Sequence, residues 1–366
     1  MEAARQRRQI GAAISQGDRM LALRKTGPQP GLNFEEVAAP GAPGPDEALI
    51  QVEAAGICGS DLHVYDWDAS YAFMRARLPV TIGHEFCGRV VALGSQAAGL
   101  AEGDLVAVVP TASCMKCQLC AAGQPQRCLS RSTLGLTRDG AFARQVRVPA
   151  LSCIRLAGHT LPALAAMLEP LAVGDNAALV GEIGFGDTVV VLGPGTIGQA
   201  IARAARWRGA ERVVVVGKGD GPRLRTALAV GATHAIDLEQ GLTLPQALEQ
   251  ALGAGQADVV VEATGHPSSI ADGLSILRKD GVLVSAGIHA RPASLDMTAL
   301  VRNRQQIRGA HASRRASWLS IARRIAEQPE DVLPMVSAEL PLAEGLQGFA
   351  QCRARAVSKI ILRPGD

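Results

Sequence analysis

Residues 188–198 read TVVVLGPGTIG, from Thr188 to Gly198. The run Thr188–Leu192 is β-branched and apolar, as a strand buried on both faces would be. It passes directly into Gly193, Gly195 and Gly198, spaced G-x-G-x-x-G, and then into the helical pattern of Ile197–Trp207. Between a strand and a helix, that spacing signals a dinucleotide site. Gly193 permits the tight turn, Gly195 lets the backbone approach a pyrophosphate, and Gly198 lets the helix pack on the strand. Thr196 and Ile197 open the helix, whose free N–H groups and partial positive charge suit an anion. An ordinary glycine-rich turn is the plain alternative, and the flanking strand and helix argue against it.

Downstream the same rhythm continues. Strand-like Arg212–Val216, Asp258–Val261 and Gly281–Ser285 alternate with helical Pro222–Val230 and Ser268–Arg278. Alternating strands and helices imply a parallel sheet covered on both faces. In such folds an acidic residue about 20 positions past the glycines holds the adenosine ribose. Here the second strand ends at Val216, followed by Gly217 and Lys218, and the first carboxylate is Asp220. Lys218, Arg223 or Arg225 could meet a 2′-phosphate, which favours NADP; Asp220 could reach a ribose, which favours NAD. The balance tips slightly to NADP, against the bland reading that these charges solvate a loop.

Upstream, from Met20 to about Val148, short alternating runs are cut by Gly and Pro: Ala48–Ala54, Arg89–Leu93, Leu105–Val109 and Phe142–Val148. They predict an all-β unit of barrel or sandwich type with no long amphipathic helix. After Ala312 the character is mixed again and ends in strand-like Ser358–Leu362. Residues 1–19 are Arg-rich with weak periodicity. They read as a disordered extension or an over-called start with Met20 the true one; Glu2 and Asp18 argue against an organelle presequence.

The 366 residues are 48% hydrophobic and 19% charged with net charge +3, which excludes a disordered chain. Near-balanced charge and 3% aromatic content also argue against a nucleic-acid partner. No apolar run approaches a membrane span and no signal peptide is visible, so a cytoplasmic protein is expected. The 8 Cys are too sparse for a disulfide scaffold, and four of them cluster as Cys114-x-x-Cys117-x-x-Cys120 with Cys128 beyond. Four thiolates at these spacings point to a closed, structural zinc site, with an iron–sulfur cluster or unrelated thiols as alternatives. A second constellation joins Cys58, Ser60, Asp61 and His63 to Gly83, His84 and Glu85. One thiol, one imidazole and a carboxylate suit a catalytic zinc with an open position.

These motifs, together with Glu169–Val173 (EPLAV) and Glu262–Gly265 (EATG), resemble the zinc-dependent medium-chain alcohol and polyol dehydrogenases of the sorbitol and threonine branch. The resemblance spans Met20 to Pro364. It implies an α/β protein with two domains. A GroES-like, β-rich catalytic domain takes residues 20–175 and 313–366, with a zinc lobe at 114–128. A Rossmann doubly wound NAD(P) domain takes residues 176–312. It implies that Cys58 and His84 ligate the catalytic zinc, with Glu85 and Glu169 binding directly, through water or by exchange. Asp61 orients His84, Ser60 meets the substrate oxygen, and His63 ends a proton relay that includes a cofactor ribose hydroxyl. Thr264 and Gly287 fall with the cofactor residues. A homodimer or homotetramer is implied, with the last Rossmann strand, near Gly281–Gly287, pairing across subunits.

The implied reaction moves a hydride between a secondary alcohol, diol or polyol and NAD(P). The alternatives are oxidation of L-threonine and a non-catalytic zinc and dinucleotide protein. Two departures stand out. Asn176 precedes Ala177 where the family has His, close to the cofactor, and Thr111 stands where threonine dehydrogenases carry a His. The stretch His63-Val-Tyr65-Asp-Trp67-Asp68 does resemble threonine dehydrogenases. Tyr65, Trp67, Tyr71 and Phe73 either line the substrate pocket or simply pack.

Overall fold

The computed structural model describes residues 19–253 and 255–365. Of the expected extension, residues 1–18 lie outside the described residues, and Arg19 opens the first strand. The chain forms two units. One runs to Glu169 and takes in Ala338–Ala350 and the chain from Ile360; the other comprises Pro170–Ser337 and Gln351–Lys359. Among the described residues no helix is long and apolar enough to cross a membrane.

The second unit is built on a six-stranded sheet. Its strands lie in the order His234–Asp237, Arg212–Gly217, Thr188–Leu192, Ala257–Glu262, Leu277–Ser285 and Gln306–Gly309. Every neighbouring pair is parallel. The two-residue period of a strand splits its side chains between the faces. Val189 and Val191 join a cluster with Ile201, Ala202 and Ala205 of the helix Thr196–Trp207. Val190 and Leu192 join another with Leu248, Ile270 and Ile276. Covering both faces this way explains the near-continuous valines. Numbered along the sheet, the order is 3-2-1-4-5-6, and it reverses between Thr188–Leu192 and Ala257–Glu262. The carboxyl ends of these strands mark the switch point where doubly wound folds bind ligands.

Two elements of this unit differ from the sequence reading. The outermost strand is Gln306–Gly309, not the segment near Gly281–Gly287, which lies one strand further in. Gln306 and Arg308 look like loop because an edge strand needs no apolar faces. The helix Arg315–Glu327 packs within the second unit, beyond the expected boundary at 312. It buries Trp318, Ile321 and Ile325, and the turn after it is tied to Trp207, whose Nε1 donates to Asp331 at 2.7 Å.

The first unit carries the expected short strands. A seven-stranded sheet runs Cys153–Arg155, Leu105–Val108, Glu85–Leu93, Glu47–Gly56, Lys359–Arg363 and Val336–Pro341, with Gln145–Pro149 also on Glu47–Gly56. A three-stranded sheet joins Asn33–Ala38, Arg19–Lys25 and Val80–Thr81. The short helix Gly59–Asp66 and a 3-10 turn, Ala69–Arg77, were not evident from the sequence. The helix buries only Asp61 and Val64, so it shows no amphipathic stripe.

Candidate active site

Cys58 is the N-cap of the helix Gly59–Asp66, and the cap is built reciprocally with Asp61. The Cys58 backbone N–H donates to Asp61 Oδ2 at 2.9 Å. Asp61 is thereby fixed, and its other oxygen, Oδ1, lies 3.5 Å from His84 Nδ1. A carboxylate behind one ring nitrogen leaves the other, Nε2, for a metal. His84 ends the turn before the strand Glu85–Leu93, and Glu85 opens that strand with no exposure. The ligand atoms of Cys58, His84 and Glu85 lie within 4.8 Å of one another. Burial would lower the His84 pKa, but the charges of Asp61 and Cys58 outweigh it and hold the pKa well above the usual range. A negative field that favours an imidazolium also favours a metal cation. Thiol, imidazole and carboxylate are the donor types of an open zinc site. Glu169, in the first turn of the helix Leu168–Val180, stands outside this three-residue cluster.

Ser60 Oγ lies 3.2 Å from His84 Nε2, at the mouth of the cluster. His63, on the last turn of the same helix, has its Nδ1 taken by the Asp68 carboxylate. Its ring stacks on Tyr71, with centroids 5.9 Å apart and planes 12° from parallel. The sequence showed the aromatic crowding and the Asp68 position, but not that both serve one histidine.

The four lobe cysteines converge. Cys117 Sγ is 3.5 Å from Cys120 Sγ and 3.9 Å from Cys128 Sγ, which is 3.5 Å from Cys114 Sγ. Four sulfurs placed about 2.3 Å from one ion stand roughly 3.8 Å apart. The spacing fits a single tetrahedral ion and is too tight for a multi-iron cluster. Backbone N–H groups assist: that of Cys120 is the largest cause drawing the Cys117 thiol down to about 6, and that of Cys114 does the same for Cys128.

In the second unit Gly193 turns with φ +107°, and its N–H donates to Val216 O at 2.9 Å. A Cβ on Gly198 would stand 1.8 Å from Gly193 O, whereas one on Gly195 would meet nothing within 4 Å. The middle glycine therefore leaves room for a ligand rather than for the protein. Ile197 packs at the edge of the helix–sheet core, and Thr196 Oγ1 donates to Ser358 O at 2.7 Å. Thr264 and Gly287 follow the strands at the same sheet end. Both backbone N–H groups bond to Glu262, Thr264 to its carboxylate and Gly287 to its carbonyl at 3.0 Å. His289, not noticed in the sequence, also holds that carboxylate, with Nε2 2.9 Å from Oε2. Nothing but spatial proximity links His289 to Glu262, so no sequence signal could have found it.

Past the second strand, Lys218 is exposed. Arg223 is occupied: its Nε donates to Val357 O at 2.8 Å and Nη2 to Cys352 O at 3.3 Å, so its guanidinium serves the chain's own loop. Asp220 is buried, with Oδ1 facing Arg223 at 3.9 Å. Asn176 is buried in the helix Leu168–Val180, and Thr111 Oγ1 contacts Thr133 Oγ1 at 3.2 Å.

Comparison with known proteins identifies both domains. Residues 44–158 match the alcohol dehydrogenase GroES-like domain, and residues 196–327 match the zinc-binding dehydrogenase domain. L-Threonine 3-dehydrogenase of Bacillus subtilis is 32% identical over 87% of this chain and 91% of its own. Sorbitol dehydrogenase of Halalkalibacterium halodurans is 31% identical over 88% and 93%. A zinc-binding dehydrogenase of Sinorhizobium meliloti bound to NADP superposes with TM-score 0.83 at 28% identity, covering 95% of this chain and 100% of that one. 2R,3R-Butanediol dehydrogenase of Bacillus subtilis gives TM-score 0.83 at 25% identity, covering 94% and 100%. With both domains matched and relatives aligned over nearly their whole length, the chain belongs to the zinc-binding alcohol dehydrogenase family, with NAD(P) as cofactor.

Proposed function

We propose that this chain is a dehydrogenase of secondary alcohols, vicinal diols or polyols that prefers NADP. The observation that carries the site is the convergence of Cys58, His84 and Glu85, with Ser60 beside His84 Nε2. Cys58, His84 and Glu85 would hold the catalytic zinc, with Glu169 as an exchanging ligand, and the four lobe cysteines would hold a structural one. When bound, the catalytic ion polarises the substrate hydroxyl and draws its pKa toward neutrality. Ser60 Oγ would accept the hydroxyl proton as it releases its own hydrogen along the relay toward His63. His63, whose Nδ1 is held by Asp68, passes it to solvent from Nε2. Asp61 keeps His84 in the ligating orientation.

The cofactor preference rests on an exposed Lys218 and Arg225 and on a carboxylate, Asp220, that is turned under the loop toward Arg223. Pyrophosphate binding falls to the turn Gly193–Gly198, with Thr264 and Gly287 at the neighbouring strand ends. The domain division expected from the sequence is proposed with its second boundary moved past the helix Arg315–Glu327. A cytoplasmic location and assembly as a homodimer or homotetramer complete the reading.

The deciding experiment is a panel of polyols, diols, secondary alcohols and L-threonine, each with NAD and NADP. The expected result is turnover of a diol or polyol with higher kcat/KM for NADP. The threonine-dehydrogenase relatives favour L-threonine as the second reading, against which Thr111 replaces the His. A strong NAD preference would overturn the cofactor assignment, and dominant threonine turnover the substrate class. No reduction of either cofactor by any substrate would leave only a binding role.

A further inference from the structure

Glu262 ends the strand Ala257–Glu262 with no exposure. Its Oε1 accepts three hydrogen bonds: from the backbone N–H groups of Thr264 and Gly265 at 2.6 and 2.9 Å, and from Thr264 Oγ1 at 2.5 Å. Its Oε2 lies 2.9 Å from His289 Nε2. Among the described residues no Lys or Arg pairs with it. The two loops that it ties are pressed together. A Cβ on Gly265 would stand 2.4 Å from Ile288 O, and one on Gly287 would stand 2.6 Å from Glu262 Oε2.

This cluster borders the glycine turn, since a Cβ on Gly193 would stand 2.9 Å from Thr264 Cγ2. In a doubly wound fold the pyrophosphate lies on the first turn and the adenosine ribose past the second strand. The nicotinamide half then falls on the other side of that turn, toward the ends of Ala257–Glu262 and Leu277–Ser285. Glu262 and His289 sit at those ends.

Hydrogen-bond accounting sets the charge. His289 Nδ1 is buried with no partner among the described residues. A hydrogen there would be a buried donor with nothing to accept it, so the imidazole proton belongs on Nε2, which donates to Oε2. Glu262 is then an ionised carboxylate, held by dipoles and by a neutral imidazole, with no cation against it. A buried negative charge of this kind favours a cation nearby. The oxidised nicotinamide ring is positive and the reduced ring is neutral.

We propose that Glu262 and His289 poise the bound cofactor: the Glu262 carboxylate favours the oxidised ring over the reduced one, and His289 holds that carboxylate without cancelling its charge. This rests on the NAD(P) dehydrogenase reading above.

The test reads affinity rather than turnover. Kd for NADP+ and for NADPH is measured by calorimetry on the zinc-loaded protein, with NAD+ and NADH in parallel. Glu262→Gln removes the charge and keeps an oxygen for the Thr264 and Gly265 N–H groups. The ratio of Kd for the oxidised form to Kd for the reduced form should rise about 5- to 10-fold, the scale of one charge acting through an effective dielectric near 20. His289→Gln exchanges one neutral donor for another and should leave the ratio at its wild-type value. His289→Arg puts a fixed cation against the same carboxylate and should raise the ratio, which keeps the proposal open to test if Glu262→Gln does not fold. Equal weakening of both forms in Glu262→Gln is a packing role and overturns the proposal, as does an unchanged ratio in His289→Arg. A fall in the ratio for His289→Gln means that an imidazolium had cancelled the charge, and overturns it too. A wild type that turns over no alcohol overturns the dehydrogenase reading, while the affinity ratio still decides this proposal. A wild type that binds neither dinucleotide overturns both.

Discussion

Gly195 and Gly198 look equivalent in the sequence and answer to different neighbours. At Gly198 an added methyl would drive into the Gly193 carbonyl at 1.8 Å, so Gly198→Ala must displace either the turn or the helix. Overpacking on this scale costs about 3 kcal/mol, and a Tm drop of roughly 5–10 °C in thermal unfolding is expected. Gly195→Ala meets open space, so its Tm should stay at the wild-type value. Fluorescence titration with NADPH should instead show a weaker Kd, by roughly tenfold. If the two variants behave alike, the pyrophosphate does not sit on Gly195. Lys25 is a third residue with a decided role. Fully buried, it donates from Nζ to the carbonyls of Gln29, Gly31 and Tyr65 at 2.6, 3.1 and 3.2 Å, and so ties down the end of the helix that carries Ser60 and His63. Lys25→Met removes all three bonds, leaving Tyr65 O only the Gly31 N–H at 2.8 Å, and should cost about 3 kcal/mol in denaturant unfolding. Burial lowers the Lys25 pKa from 10.5 to about 8, with Asp66 pulling the other way. Between these two values the unfolded chain holds a proton that the folded chain has released, so stability rises with pH. The advantage of wild type over Lys25→Met should therefore widen from pH 8 to 10.5, and a narrowing gap would contradict the assignment.

Elements differ in how plainly they announce themselves. Central strands such as Thr188–Leu192 and Arg212–Gly217 are buried on both faces, so their composition is their signature. Edge strands carry no such demand, and neither Gln306–Gly309 nor His234–Asp237 stands out in the sequence. The helix Gly59–Asp66 is set by a cap on Cys58 and Asp61 rather than by an apolar stripe, which hides the element while its chemistry stays readable. The cysteine lobe is the opposite case: its spacing alone announces four thiols that converge, as one tetrahedral ion would require. Its regular structure is slight: a four-residue helix at Gln118–Ala121 and the paired Thr111–Ala112 and Ser132–Thr133. Met115 and Leu129 are 56% and 87% exposed, so the lobe has little apolar core to hold it. Its order should depend on the metal. Cys117→Ser should lower zinc from two ions per chain to about one by metal analysis. Limited proteolysis should then cut within 114–128 first, leaving the remainder resistant. Uniform resistance in the zinc-depleted variant would show that the lobe holds itself.

At the scale of the whole molecule, the six-stranded sheet ends on a strand that has only one neighbour. Gln306–Gly309 pairs with Leu277–Ser285 on one side and shows no other strand among the described residues. An unpaired edge of backbone N–H and C=O groups invites another chain unless it is blunted by charge or covered. Exposed apolar side chains accompany the polar Gln306 and Arg308. Ile307 on the strand is 38% exposed, and Met297 and Val301, one turn apart on the helix Met297–Arg302, are 57% and 69% exposed. Self-complementary pairing of one surface with its copy closes after two subunits, so a twofold dimer is the simplest assembly this edge supports. Sequence reading took the segment near Gly281–Gly287 for the last strand, one further in, because polar Gln306 and Arg308 did not look like a strand. Ile307→Lys with Val301→Arg places like charges across the twofold axis without touching either zinc site or the glycine turn. Size-exclusion chromatography with light scattering should report a dimer or larger for wild type and a monomer for the double variant. Zinc content should be equal in both. An unchanged oligomer would move the interface elsewhere on the molecule, and a monomeric wild type would remove it.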